Sequence, residues 1–201
     1  MLQAPEQLPA ALQTSPTMSV HPPILTTPRL LLRPFRSSDA AHFAAAVRES
    51  AISVGHWMPW PHADYTQDEA RAWFAHCRQA WRSGAACELG IFARADARRV
   101  LGGIGLNRLD ALHRSANLGY WVRHTAERQG IASEAAQALA QYGFRALARV
   151  RIEIVVAQGN RASTRVARKL GARMECLARN RLIVGGVPVA ARVFALTPPP
   201  A

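Results

Sequence analysis

The run from Leu118 to Gly171 most constrains what this chain can fold into. "LGYWV" (118–122) reads as a strand, and "ERQGIASEAAQALAQYGF" (127–144) sets Gly130 at the mouth of an Ala-rich helix. That helix carries one apolar stripe, Ala135, Ala138, Leu139, Tyr142 and Ala146, suited to packing on a sheet. "RVRIEIVVA" (149–157) alternates as a further strand, and Asn160-Arg161-Ala162-Ser163 opens a second helix that Gly171 ends. The order strand, loop, helix, strand is a parallel crossover with a ligand slot beside it.

The loop gives that slot its chemistry. A helix leaves its first backbone N–H groups unpaired, and its dipole adds partial positive charge there, so a tight entry loop makes an anion site. Gly130 lets an anion approach without a Cβ in the way, Ala132 is small, and Ser133 adds a hydroxyl donor. Taken alone, Gly130 is weak evidence for such a site, since a plain turn before an ordinary helix has the same glycine. The following strand and its Asn-x-x-Ser helix favour the anion site.

The rest of the pattern alternates in the same way. "RLLLRPF" (29–35) is a short strand, and Ser37, Ser38 and Asp39 offer N-caps for a helix to about Glu49. Thr66 to Glu69 forms a capping box before a helix with apolar positions at Ala70, Trp73, Phe74, Cys77 and Trp81. Strands are expected at 86–93, 99–106 and 116–122. Residues 1–23 and the closing "TPPPA" read as mobile tails, Met18 offers a second start, and one domain fills 24–197. A chain of 201 residues buries about two thirds of its unfolded surface, so it needs no metal or disulfide for stability. Cys77, Cys87 and Cys176 lack ligand spacing and read as reduced, buried thiols of a cytoplasmic protein. His56, His62, His113 and His124 read as surface residues, so no metal is expected. No apolar run is long enough to span a membrane.

In order and spacing, "TPRLLLRPFRSSDA", "HWMPW", "LGYWV", "RQGIASEA" and "NRASTRVARKLGA" resemble the GNAT superfamily of acyl-CoA-dependent N-acetyltransferases. The closer resemblance is to its RimJ/RimL-type branch, which includes ribosomal-protein N-terminal acetyltransferases. The implied fold is α/β, a mixed and mostly antiparallel sheet of about seven strands with four main helices, splayed where acetyl-CoA enters. The resemblance further implies that the loop Arg128, Gln129, Gly130, Ile131, Ala132 and Ser133 holds the pyrophosphate. Tyr120, Trp121 and Val122 would pair with the pantetheine arm like an added strand, and Asn160 would bond it from the opposite side. Trp57 and Trp60, with Tyr120, would wall the acceptor pocket; both Trp also fit core plugs. A homodimer is suggested by analogy alone.

The reaction needs a donor for the oxyanion and a proton or hydrogen bond for the departing thiolate. The Val122 N–H is the candidate oxyanion donor. Many superfamily members place a Tyr where this chain has Ala167; Ser163, one turn earlier on the same face, is the candidate acid, or else only a helix cap. The base is harder to assign. The carboxylate position before "GYW" reads Asn117, "GGVPVAARVF" has no acid, and Glu88 remains as base or water-positioner.

Without a strong base the site suits a weakly basic amine. An α-amino group has a pKa of about 7.7 to 8.0, against about 10.4 for Lys. The net charge of +12 disfavours polycationic acceptors and suits an acidic protein or a ribosomal protein N-terminus, although much of it is Arg, with Lys169 the single Lys. Two other readings stay open: an acetyl-CoA-binding relative that has lost turnover, and a basic ribosome- or RNA-binding module without catalysis. The last has charge as its only support, so no direct nucleic-acid contact is expected.

Overall fold

The structure is a computed structural model that describes residues 21–198. The tail expectations for residues 1–20 and 199–201 lie outside the described residues.

Among the described residues, eight strands form one sheet in the order β1-β2-β3-β4-β5-β6-β8-β7. They are β1 (Leu25–Thr26), β2 (Leu30–Arg33), β3 (Cys87–Ala93), β4 (Asp96–Asp110), β5 (Ser115–Val122), β6 (Arg151–Ala157), β7 (Arg173–Val184) and β8 (Val187–Leu196). The strand beyond the expected seven is the two-residue β1, too short for sequence periodicity to register. Only β5 and β6 run parallel, joined by the helix α3 (Ile131–Arg145); all other pairs are antiparallel.

The side-chain alternation of the strands divides the core. Leu30, Leu89, Leu118 and Ile152 pack beneath α3 and α4 (Arg161–Lys169). Phe92 and Val100 face α1 (Ala40–Glu49) and α2 (Gln67–Arg82), where Phe35 stacks on Phe74 at 4.6 Å and Phe43 meets it edge-on at 5.2 Å. The helix starts have local causes. Thr66 Oγ1 accepts the Glu69 amide at 3.2 Å while Glu69 returns to the Thr66 amide at 2.8 Å. Asn160 caps α4 by accepting the Ser163 amide at 2.9 Å, and Gly171 follows that helix at φ 78°.

Two expectations change. Asp39 stands before α1 but does not cap it: its carboxylate takes both Arg33 guanidinium nitrogens, at 2.7 and 2.9 Å, and the Arg36 amide at 2.7 Å. A buried Arg demands a bidentate acceptor more strongly than an exposed amide demands a cap. Cys176 is exposed, whereas Cys77 and Cys87 are buried. It lies on the edge strand β7, whose neighbouring positions are open to solvent on both faces.

Candidate active site

The site begins where β5 leaves β6. Their parallel pairing holds for only three positions, Ser115 with Arg151, Ala116 with Ile152 and Asn117 with Glu153. On its other side β5 stays paired with β4 as far as Val122. The Arg123 amide donates to the Leu101 carbonyl at 2.8 Å, and antiparallel bonding alternates from there. Asn117, Gly119 and Trp121 therefore bond to β4, while Leu118, Tyr120 and Val122 turn their N–H and C=O groups into the gap. No register shift interrupts the β5–β6 pairs; the bulge near the parting lies on β4, where Arg108 takes φ 50°. Trp121, expected in the cofactor slot, instead spends its backbone on Gly103 and turns its ring to the opposite face.

The gap leads to Gly130, which precedes α3 at φ 78° with no side chain capping the helix. The Glu134 amide closes the first turn on the Gly130 carbonyl at 3.1 Å, leaving the Ile131, Ala132 and Ser133 amides without intrahelical acceptors. A Cβ at Gly130 would have the Arg29 Nη2 and Lys169 Nζ atoms as its nearest neighbours, at 3.5 and 4.0 Å. Free amides, a helix dipole and Lys169 thus converge on one bare backbone position, beside an Arg29 already paired with Glu134, which fits a diphosphate.

Both flanks of this loop are tied down. Glu49, at the end of α1, accepts Arg123 Nε at 2.7 Å and the Thr125 amide at 2.9 Å, and Ser50 Oγ accepts the His124 amide at 3.0 Å. The Arg123 bond holds the Glu49 carboxyl down at about 2. On the other flank Glu134 accepts Thr27 Oγ1 at 2.6 Å and Arg29 Nε at 2.7 Å. Burial pushes that carboxyl up, but these bonds outweigh it and leave it lowered. Arg29 also donates to the Gln129 carbonyl at 3.0 Å, and the Gln129 side chain folds back to the Thr125 carbonyl at 3.0 Å. Arg128 is exposed in the left-handed region at φ 60°.

Across the gap, the Tyr120 hydroxyl lies 2.8 Å from Ser163 Oγ and 3.3 Å from the Ser163 carbonyl. Burial pushes the Tyr120 phenol up to about 12, against the opposing pull of its bond to Ser163. Ser163 does not cap α4; Asn160 does, which commits the Asn160 oxygen and leaves its NH₂ group to face other partners. Ala167 is wholly buried one turn on.

On the α1/α2 face a cavity of about 350 Å³ opens beside Tyr120 and Trp121. Glycines make its floor. Gly105 faces Glu88 so closely that a Cβ there would meet Glu88 Oε2 at 1.8 Å, and at Gly119 the nearest atom to an added Cβ would be Asn107 Nδ2 at 3.7 Å. Glu88 accepts from Asn107 Nδ2 at 3.3 Å, and Asn107 Oδ1 accepts from Asn117 Nδ2 at 2.9 Å. Burial raises the Glu88 carboxyl above its ordinary value, partly offset by the Asn107 bond. Trp60 lines the cavity with its ring 5.6 Å from that of Trp121. Trp57 lies outside the lining, next to Gly159 in the turn before α4.

Asn107 and Arg29 went unnoticed in the sequence. Asn107 sits inside an apolar strand with no local motif, and Arg29 reaches α3 from roughly a hundred positions away. Only the "TPRL" motif carried a signal for Arg29. Among the described residues no group of three or more His, Cys, Asp or Glu could hold a metal, and no helix is long and apolar enough to cross a membrane.

A mixed sheet parted between two parallel strands, with an anion loop at one end of the gap and a lined cavity at the other, defines an acyl-transferase architecture. The acetyltransferase (GNAT) domain family matches residues 29–173, and the chain belongs to that family. It is 30% identical over 177 residues to the uncharacterised N-acetyltransferase YoaA of Bacillus subtilis, covering 88% of this chain and 98% of that protein. A Vibrio cholerae structure provisionally assigned as a ribosomal-protein-serine acetyltransferase is 32% identical, with TM-score 0.78 over 89% of this chain and 99% of that one. Mycobacterium smegmatis RimJ, solved in complex with a CoA-disulfide, is 25% identical, with TM-score 0.79 over 88% of this chain and 90% of that one.

Proposed function

We propose that the protein transfers the acetyl group of acetyl-CoA to a weakly basic primary amine, the α-amine of a peptide or protein N-terminus. The observation that carries this reading is the parting of β5 from β6 after Asn117, which leaves the β5 backbone groups of Leu118, Tyr120 and Val122 free on their outer side. The fit of a CoA diphosphate rests on the bare Gly130 backbone with Arg29 and Lys169 beside it. The RimJ structure with its CoA-disulfide supports the same reading.

The bound cofactor supplies an acetyl thioester; the protein's residues hold and polarise it. Tyr120 and Val122 extend backbone groups along the arm, and the Val122 N–H donates to the carbonyl oxygen as negative charge develops there. The amine nitrogen bonds to the acetyl carbon, the carbon–sulfur bond breaks, and the sulfur leaves with the electron pair. The Tyr120 and Ser163 hydroxyls sit together at that end of the gap. A phenol at about 12 gives no complete proton to a thiolate whose thiol has a pKa of about 8.5. The pair therefore acts by hydrogen bonding the sulfur, and water supplies the final proton.

Glu88 takes the amine's excess proton. A carboxyl raised by burial is a better base near neutral pH than an ordinary one. The apolar cavity also favours the neutral form of the amine. Asn107 and Asn117 hold Glu88 in position across three strands. An α-amine, with a pKa of about 7.7 to 8.0, asks least of such a base. The test is release of free CoA thiol from acetyl-CoA with a peptide panel, the products located by mass spectrometry. Acetylation confined to N-termini supports the reading; faster acetylation of Lys side chains overturns it.

A further inference from the structure

We infer that the acceptor presents a bulky apolar or aromatic side chain beside its amine, seated in the cavity on the α1/α2 face. The inference rests on the α-amine reading above and specifies the first residue of the acceptor.

The cavity walls are aromatic. Phe35, Phe43, Trp60, Tyr65, Trp73 and Trp121 line it, and among its lining residues Glu88 is the only one with a charged side chain. The rings are held in mutual edge contacts, Phe43 to Trp121 at 5.6 Å and Trp60 to Tyr65 at 6.2 Å, so the chamber is kept open by packing. Trp60, 36% exposed, stands at the rim, while Phe43 and Trp121 are buried.

The volume has a backbone cause. β4 and β5 present Gly103 and Gly119 to this space, and Gly105 lies beneath the Glu88 carboxylate that lines it. Gly103 is needed by the Trp121 ring, since a Cβ there would meet Trp121 Nε1 at 2.6 Å, and Gly105 by the Glu88 carboxylate. Gly119 is different. An added Cβ would have only Asn107 Nδ2 within 4 Å, at 3.7 Å, so its missing side chain is space left in the chamber.

A chamber of about 350 Å³ is as large as the smaller ligand pockets of proteins, which start at about 300 Å³. The methyl of Ala or the hydroxymethyl of Ser would leave most of it empty, forfeiting contact with the rings. A Phe or Leu side chain covers far more of the ring walls and displaces water from around the amine, which favours the neutral nucleophile. An acidic side chain would lose its hydration against these rings and face the Glu88 carboxyl, with no partner to offset the loss.

The experiment compares short peptides identical after their first residue, which is Ser, Ala, Leu or Phe, with phenethylamine as a fifth acceptor. The readout is kcat/KM from thiol release, with products located by mass spectrometry. Phe and Leu should exceed Ala and Ser by at least about ten-fold, the scale of a side chain's fit in an apolar pocket. In the Gly119→Val protein the Phe peptide should lose at least about ten-fold while the Ala peptide stays within about three-fold. Equal rates across the wild-type series, or preference for Ser or Ala, overturn the inference, as does a uniform loss in a Gly119→Val protein that melts normally and still binds acetyl-CoA. Turnover of phenethylamine with every peptide inert overturns the α-amine reading while supporting the apolar chamber. Silence from all five acceptors overturns both.

Discussion

The Tyr120 hydroxyl and Ser163 Oγ meet at 2.8 Å across the gap that opens between β5 and β6. One comes from the strand that stays with β4, the other from the first turn of α4, so the bond joins the two sides beyond the last backbone pair that β5 and β6 share, Asn117 with Glu153. It also resolves what Ser163 does locally: Asn160 caps the helix, and the Ser163 hydroxyl faces the gap.

Tyr120→Phe and Ser163→Ala should each lower kcat by about ten- to a hundred-fold, the range expected for losing a positioned donor. Acetyl-CoA affinity, measured by calorimetry, should stay within about three-fold in both. The double variant should be little worse than the poorer single one, because the hydroxyls act as a unit. With the phenol pushed up to about 12, the wild-type rate should show no alkaline decline from Tyr120 short of that value.

Glu88 makes opposite predictions for rate and stability. Its raised carboxyl should set an acid limb in kcat above the ordinary Glu value of 4.5, and Glu88→Gln should remove that limb and lower kcat by about ten- to a hundred-fold. The folded state holds this proton more tightly than the unfolded chain. Stability from this group therefore falls as pH rises from the ordinary carboxylate range through the raised value. Glu88→Gln should accordingly raise the thermal midpoint at neutral pH by a few degrees, read by calorimetry. Gly105→Ala should reproduce the kinetic loss, since its methyl would occupy the position of Glu88 Oε2.

The loop before α3 should depend on Glu49. Its carboxyl, held at about 2 by Arg123, contributes stability that is complete above the unfolded value of 4.5 and lost as pH falls through about 2. Loop order in the wild type should thus be constant through the neutral range. Glu49→Gln should weaken acetyl-CoA binding by about three- to ten-fold and cost about 1 kcal/mol of stability. Lys169→Ala should weaken binding similarly without touching stability, and its effect should shrink in high salt.

Much of this was legible in the sequence because it is local. Gly130, the Thr66 capping box and the Asn160 cap announce themselves within four residues, and the strand alternation from 116 to 122 fixes one edge of the gap. What escaped was made by distant pairs. The Glu88–Asn107–Asn117 chain joins three strands through register alone, so Asn117 reads as a missing base when its amide leads back to the carboxylate proposed for that role. The Arg29–Glu134 tie spans β2's approach and α3. Cys176 reads as buried because an apolar alternation does not say whether anything covers the strand, and the positions around it on β7 are exposed on both faces. The cavity itself is a sum of absent side chains, which a pattern of present ones does not reveal.

The central claim is that backbone donors at Gly130 hold a diphosphate and so aim a thioester into the gap beside Tyr120. A crystal structure of the protein with coenzyme A tests it most directly. Diphosphate oxygens should lie within hydrogen-bonding distance of the amides from Gly130 to Ser133, with the sulfur near the Tyr120 and Ser163 hydroxyls. Coenzyme A bound elsewhere, with those amides turned to protein acceptors and β5 closed onto β6, would contradict it.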